Sequence, residues 1–182
     1  GATMIQSTDG ANWTVHPSPP PNELFAIAYA NNLWLCSNAT ALYYSTDGIT
    51  WTACGGYAFP FAVSALAFAQ GKWVAGGKAY FAYSLDGITW TAGTGLNISN
   101  AVYSIAGNNG LFVAVGYDNA GVDMLVSTNG IAWVVPTTPP TPFTFGYSVA
   151  VNPAGTWIAI AEGSPIFYSL DGLVWVSTAF TS

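Results

Sequence analysis

Asp118, Asp123 and Glu162 are the carboxylates best placed for acid–base work, because Asp9, Asp47, Asp86 and Asp171 each lie inside a near-identical Asp-Gly phrase. Asp118 or Asp123 paired with Glu162 is the minimum set for hydrolysing a glycosidic bond. A nucleophile–base–acid arrangement would require His16, the single histidine, which precedes "PSPPP" and reads as a solvated loop residue. One His and two separated Cys with no Cys-x-x-Cys give no zinc spacing. "DNAGVD" at 118 to 123 offers oxygen ligands for calcium but lacks a full EF-hand loop, so an ordinary polar loop is expected. No metal and no cofactor are expected.

Composition narrows the partners. Charged residues make up 5 % of the 182 residues, arginine is absent, lysine occurs only as Lys72 and Lys78, and the net charge is -6. Such a chain cannot neutralise a run of phosphates, so nucleic acid is excluded. The strongest apolar stretch, "FAVSALAFA" at 61 to 69, is about half the length that spans a bilayer, so no membrane insertion is expected. No charged segment leads into an apolar one as in a secretory signal. Three sequons, at Asn12, Asn38 and Asn97, are about what chance gives in a chain this rich in Asn, Ser and Thr.

Self-similarity supplies the elements that must position these groups. "STDGANW" at 7, "STDGITW" at 45, "SLDGITW" at 84, "STNGIAW" at 127 and "SLDGLVW" at 169 place Asp9, Asp47, Asp86, Asn129 and Asp171 at intervals of 38, 39, 43 and 42 residues. That period suits one four-stranded blade of a β-propeller. Upstream of each phrase, as in "AIAYANNLWLCS" at 26 and "ALAFAQGKWVAG" at 65, short alternating runs are split by a turn. For the repeat at 22–60 the pattern predicts strand A at 25–30, B at 33–38, C at 41–46 and D at 49–54. Strand A is rich in small residues (Ala26, Ala28, Ala65, Ala67, Ser104, Ala106, Ser148, Ala150), which suits convergence on a narrow axis. Strand B carries Trp34, Trp73, Phe112 or Trp157 as core filling between blades. Cys36 and Cys54 then fall on non-adjacent strands and are expected as free thiols, suiting assembly in a reducing cytoplasm.

The Asp-Gly pair predicts a two-residue primed turn, in which Tyr44 faces Trp51, Tyr83 faces Trp90 and Tyr168 faces Trp175. Ser and Asp side chains are placed to bond turn backbone groups that strand pairing leaves unmatched. At the fourth phrase Asn129 replaces the acid. It keeps the side-chain oxygen but not the charge, so these aspartates read as structural rather than catalytic.

The phrases resemble the Asp-box, or BNR repeat, of sialidases and related propellers, usually Ser-x-Asp-x-Gly-x-Thr-Trp; this chain lacks the residue between Asp and Gly. The resemblance covers all five repeats. It implies a sialidase-like β-propeller in which the box joins strands C and D and its Trp packs in the blade interior. The structural set is then Ser7, Asp9, Trp13, Ser45, Asp47, Trp51, Ser84, Asp86, Trp90, Ser127, Asn129, Trp133, Ser169, Asp171 and Trp175. It does not imply sialidase activity, since that family grips the substrate carboxylate with three arginines and this chain has none. The wording is also similar to repeats in bacteriophage tail and fibre proteins and other non-catalytic Asp-box proteins.

The expectation is one all-β domain over 1–182, a five-bladed propeller of four-stranded antiparallel blades. Its repeats are 22–60, 61–100, 101–142 and 143–182, with an incomplete first blade at 1–21 whose residues 3–17 supply two strands. The chain is then a five-bladed ring that tolerates one two-stranded blade, a fragment of something longer, or a ring whose edge another molecule covers; the compact five-bladed ring is favoured, and the open edges near Ile5 and Val174 invite oligomerisation or strand addition. In a propeller the B–C loops and D–A connections share one rim. Lys78, Asp118, Asn119, Asp123 and Glu162 fall in or beside B–C loops and Glu23 in a D–A connection, making that rim the candidate ligand-binding face. The function expected is a non-enzymatic binding or structural module for a glycan or protein surface on an extracellular or virion exterior; the alternative is a glycosidase- or sialidase-like hydrolase.

Overall fold

A computed structural model describes residues 3–108, 110–163 and 165–178, so the outermost ends of the first and last repeats lie outside the described residues. Every regular element described is a strand. The chain opens with the pair β1 (Ile5–Gln6) and β2 (Thr14–Val15). A four-stranded sheet follows: β3 (Leu24–Ala30), β4 (Leu33–Asn38), β5 (Leu42–Ser45) and β6 (Thr52–Ala53). After the short β7 (Gly55–Gly56) come β8 (Val63–Ala69), β9 (Lys72–Gly77), β10 (Tyr80–Ser84) and β11 (Thr89–Ala92). Then β12 (Thr94–Gly95) leads into β13 (Ala101–Gly107), β14 (Phe112–Tyr117), β15 (Met124–Ser127) and β16 (Ala132–Trp133). The last sheet is β17 (Gly146–Val151), β18 (Trp157–Ala161), β19 (Phe167–Ser169) and β20 (Val176–Ser177).

Within each repeat the successive strands pair antiparallel in chain order, β16 joining β15 through the Val126–Val134 bridge, as alternation between short turns dictates. The first strands stand side by side in the order β3, β8, β13, β17, and the two end members do not pack against each other as neighbours do. Three apolar clusters fill the junctions between successive sheets. Leu33, Leu35 and Leu42 meet Trp73 and Trp90; Val74 and Phe81 meet Phe112 and Trp133; Val113, Val115 and Met124 meet Trp157 and Trp175. The ring contact of Phe81 with Trp133, 4.0 Å between centroids at 14°, shows how closely two sheets approach. The box tryptophans of the last three sheets thus lie between sheets, facing the preceding one.

The turn after the third strand is not a two-residue hairpin. Tyr44 pairs with Thr52, Tyr83 with Thr91 and Tyr168 with Val176, one residue beyond the expected Trp partners. The shift has a local cause. Ser45 Oγ accepts from Gly48 N (2.9 Å) and donates to Asp47 Oδ1 (2.8 Å), while Asp47 Oδ1 accepts from Ile49 N and Thr50 N (2.8 and 2.7 Å). Side chains so take backbone donors that a tight hairpin would have paired across the strands, and the loop widens. Gly48 holds φ +73, which favours glycine. The same bonds recur around Asp9, Asp86 and Asp171, and Asn129 Oδ1 accepts from Ile131 N and Ala132 N at 2.8 and 2.9 Å.

A second set of bonds joins the sheets. The segment leaving each fourth strand runs parallel to the fourth strand of the next sheet: Gly55–Gly56 along Thr89–Trp90, Thr94–Gly95 along Ala132–Trp133, and Thr138 beside Val174. Gly56 and Gly95 sit at φ +88 and +87 with the backbones of Trp90 and Trp133 so close that a Cβ would meet them at 2.4 Å. His16 and Cys54, both seven residues past a box Asp, add side-chain versions: His16 Nε2 lies 2.8 Å from Gly48 O, and Cys54 Sγ lies 3.4 Å from Gly87 O. His16 is therefore 2 % exposed, not a solvated loop residue. Cys36 and Cys54 are free thiols, both pushed up to about 12 chiefly by burial.

The ends leave apolar faces open. Trp13 is 57 % exposed, unlike the buried Trp90, Trp133 and Trp175, and Ile5 and Val15 beside it are exposed too. On the last sheet Ile158, Ile160 and Tyr168 are exposed, although their counterparts Val113, Val115 and Val126 are covered by the sheet that follows. The favoured ring closure, with the first two-stranded unit seated on the last sheet, is thus absent among the described residues.

Candidate functional site

The B–C loops and D–A connections gather at one end of the strands, and the first strands all kink there. Each carries a β-bulge at the same place: at Phe25–Ala26, Ser64, Tyr103 and Tyr147. A bulge leaves its extra residue out of the ladder and re-aims the side chain. Phe25 and Tyr103 border a cavity of about 290 Å³ between β3, β8 and β13, and Tyr147 is exposed at the equivalent point of β17. Serines cross the junctions nearby: Ser37 Oγ donates to Val63 O (2.7 Å), Ser64 Oγ to Val102 O, and Ser104 Oγ to Val149 O (3.3 Å). Three large aromatic faces therefore stand on a firmly bonded inner wall.

Beside them, Tyr117 at the end of β14 stacks on Phe145 with centroids 3.7 Å apart at 9°. Phe145 takes φ +49, a strained backbone for an aromatic residue. The Tyr117 hydroxyl donates to Asn119 Oδ1, and Glu162 N donates to the carbonyls of Thr144 and Phe145 (3.1 and 3.2 Å). Asn119 and Glu162, both exposed, thus flank one aromatic stack. The sequence reading missed this feature; the aromatic residues beside the Pro-rich connection were the available signal.

The other expected residues lie elsewhere or are already occupied. Asp118 and Asp123 are 7 % and 4 % exposed. Asp118 Oδ2 accepts from Ser99 N (2.7 Å) and its Oδ1 from Ala120 N, while Asp123 Oδ1 accepts from Asp118 N (2.6 Å). "DNAGVD" is a polar turn that bonds to itself, with Asn119, Ala120 and Gly121 exposed. Burial acts against ionisation of Asp118, but the amides of Ser99 and Ala120 outweigh it and hold the carboxyl below its ordinary value. Burial pushes Asp123 up, only partly countered by the Asp118 amide, and the Asp118 charge adds to the rise. Lys78 is exposed, its Nζ 5.2 Å from the Phe61 ring centroid. Glu23 is exposed beside the connection held by Asn38 Nδ2, which donates to Pro21 O at 3.0 Å. Glu23 and Lys78 therefore belong to the first and second sheets, apart from the stack at the third and fourth.

A larger cleft, about 740 Å³, opens at the opposite end of the strands, between the A–B turns at Asn108 and Asn152 and the box residues Leu170 and Asp171. The sequence reading did not place a site there. Among the described residues no three His, Cys, Asp or Glu side chains group as a metal site.

No family model and no curated protein matches the chain. Solved structures do. The chain superposes on an ancestral GH74 enzyme with TM-score 0.73 and 15 % identity, covering 96 % of this chain and 28 % of that one. On YCF48 bound to D1 peptide the TM-score is 0.65 at 19 % identity, over 97 % and 60 %; on YCF48 from Cyanidioschyzon merolae it is 0.64 at 20 %, over 90 % and 59 %. The fold is a β-propeller. At these identities the likeness speaks for the fold alone. The chain spans less than two thirds of each of these proteins, so the four full blades and the two-stranded unit match a part of a larger chain.

Proposed function

We propose that this chain is a non-enzymatic binding module that recognises a protein or glycan surface with the rim of its B–C loops and D–A connections. The observation that carries the reading is the aromatic group there. The Tyr117–Phe145 stack stands beside exposed Tyr147, with Tyr103 and Phe25 at the neighbouring bulges and Asn119 and Glu162 as hydrogen-bonding groups. Flat apolar faces edged by neutral polar groups suit extended peptides and the faces of sugar rings, and neither ligand needs the cations this chain lacks. YCF48, a structural neighbour, is described bound to a peptide, which supports protein recognition. The likeness of the boxes to phage tail and fibre repeats supports display on a virion or cell exterior. A peptide library and a glycan array probed with the parent and with a Tyr103→Ser/Tyr147→Ser variant test the proposal. We expect a retained ligand whose affinity falls at least about tenfold in the variant. Equal binding by both proteins would move the site off this rim, and an absence of ligand at millimolar concentration would leave a purely structural role.

Hydrolysis is a second reading, favoured by the opposite displacement of the Asp118 and Asp123 carboxyls, the pattern by which one site holds an acid beside a base. Binding is preferred because both carboxylates already accept backbone amides. Turnover of a glycoside by the parent, abolished by Asp123→Asn paired with Glu162→Gln, would reverse that preference.

A further inference from the structure

The fourth box departs from its sisters in ways that meet at one junction. Its acid is replaced by Asn129, the only asparagine followed by glycine among the described residues. The glycine amide differs as well. Gly10, Gly48, Gly87 and Gly172 each donate through N to the box serine, at 2.8, 2.9, 2.8 and 2.8 Å. Gly130 N makes no such bond among the described residues; Ser127 Oγ instead accepts from Asn129 N at 3.4 Å and donates to Asn129 Oδ1 at 3.1 Å.

The preceding sheet supplies a further departure. Leu33 and Leu111, beside the start of a second strand, face Gly87 and Gly172, and the residue in the same place against Gly130 is Lys72. Lys72 Nζ donates to Asn129 O at 2.6 Å, so a cation rests on the carbonyl of the peptide unit whose nitrogen is Gly130 N. A positive charge there stabilises the deprotonated amide and makes its N–H a stronger acid. Meanwhile Asn129 Oδ1 accepts from Ile131 N at 2.8 Å and Ala132 N at 2.9 Å as well as from Ser127 Oγ. Three donors on one side-chain carbonyl stabilise the negative charge its oxygen gains when a nucleophile adds to Cγ. The junction thus activates both partners of a ring closure, the Gly130 nitrogen and the Asn129 side-chain carbon.

We propose that Asn129 is a self-modifying position, converted to a carboxylate by the groups of its own junction. Gly130 N gives its proton to solvent base and bonds to Asn129 Cγ; the Cγ–Nδ2 bond breaks, and Nδ2 leaves as ammonia with a proton taken from water. The resulting succinimide adds one water molecule. Opening at the Cγ–N bond gives aspartate, and opening at the main-chain carbonyl gives isoaspartate. Glycine has no side chain to hinder the approach, and Asn129 is exposed to the water that completes the reaction. Aspartate brings the fourth box to the composition of the others and adds an anion to the residue Lys72 already contacts. Isoaspartate carries the chain through the former side chain and gives up the captured amides of Ile131 and Ala132. The first product strengthens the junction between the second and third full sheets, and the second loosens it.

The test incubates the whole chain at neutral and mildly alkaline pH, digests it with chymotrypsin and sequences the peptides by fragment mass spectrometry, with the Asn129→Asp variant as the product standard. Residue 129 should exchange its amide NH2 for OH at least about tenfold faster in the folded chain than in a synthetic peptide of residues 124–135, which has the phrase without the fold. Lys72→Leu, the residue type of the two neighbouring junctions, should slow conversion at least about tenfold, a thermal melt like the parent's showing that it remains folded. Asp86→Asn builds the same Asn-Gly pair in a box whose Gly87 N is held by Ser84 Oγ and faced by Leu33, and it should convert more slowly than Asn129. Conversion no faster than in the peptide, equal rates at the two boxes, or a rate untouched by Lys72→Leu overturns the proposal. So does a digest in which Lys72 and Asn129 emerge joined, the lysine having displaced the amide itself.

Discussion

His16 Nε2 lies 2.8 Å from Gly48 O, occupying the carbonyl position that the box's own indole takes elsewhere: Trp13, Trp90 and Trp175 donate to Gly10, Gly87 and Gly172 at 3.2, 3.2 and 3.0 Å. Trp51 Nε1 is buried without a partner, as is Trp133 Nε1. Ser18 N donates to His16 Nδ1, so the proton on the ring belongs to Nε2 and the histidine donates to Gly48. His16→Ala should loosen the first two strands and return Gly48 O to Trp51. Faster hydrogen exchange over residues 4–16, a shifted tryptophan emission and unchanged exchange beyond Val63 are the expected readings.

The box serine should matter more than the box charge. Ser84→Ala leaves the buried Gly87 N–H without its 2.8 Å acceptor and should cost about 1–3 kcal/mol in denaturant unfolding. Asp86→Asn keeps the acceptor for Ile88 N and Thr89 N, the arrangement already present at Asn129, and should cost clearly less.

Acid should weaken the propeller through these same carboxyls. Asp86 and Asp171 are held below their ordinary values chiefly by the amides of Thr89 and Val174, and Asp47 by those of Thr50 and Ile49. A lowered folded value means stability present above the unfolded carboxyl value of about 3.9 and lost as pH falls below it. Asp123, pushed up, contributes in the opposite sense. The triple variant Asp47→Asn, Asp86→Asn, Asp171→Asn should show a flatter stability curve below about pH 4 than the parent in thermal melts across that range.

Close backbone contact predicts a contrast among glycines. Gly95→Ala must push the Trp133 carbonyl aside at φ +87, whereas Gly121→Ala, at φ +81, meets nothing within 4 Å. Both carry the left-handed backbone penalty of about 1–2 kcal/mol, so the excess loss at Gly95 in paired melts measures the clasp between second and third sheets.

Phe81→Ala should be among the most damaging single changes, at about 3–5 kcal/mol, because it opens a cavity against the stacked Trp133 in the middle junction. Equilibrium unfolding checks it.

The sheets were legible because each carries its own punctuation. The strands expected at 25–30 and 33–38 appear as Leu24–Ala30 and Leu33–Asn38, fixed by alternation and the turn at Asn31–Asn32, both at positive φ. Pairing register after the boxes was not legible, since it depends on Ser45 and Asp47 capturing amides that a generic Asp-Gly turn leaves to the strands. The parallel clasps were hidden for a related reason: Gly55 and Gly95 have no side-chain pattern that marks a partner in the next repeat. At the candidate rim, residue type revealed Asp118 and Asp123 as loop acids, but their burial follows from Ser99 and Ala120 lying within bonding distance. The Tyr117–Phe145 stack joins two sheets and has no local signature.

The forward reach of the connecting segments bears on how the molecule is made. Gly55 and Gly56 leave the ribosome well before Thr89 and Trp90, and Thr94 and Gly95 before Ala132 and Trp133. During synthesis every newly formed blade must wait, its trailing hydrogen bonds unanswered, until the outermost strand of its successor emerges. The growing chain therefore always carries one unfinished seam, and only the arrival of another repeat moves it along.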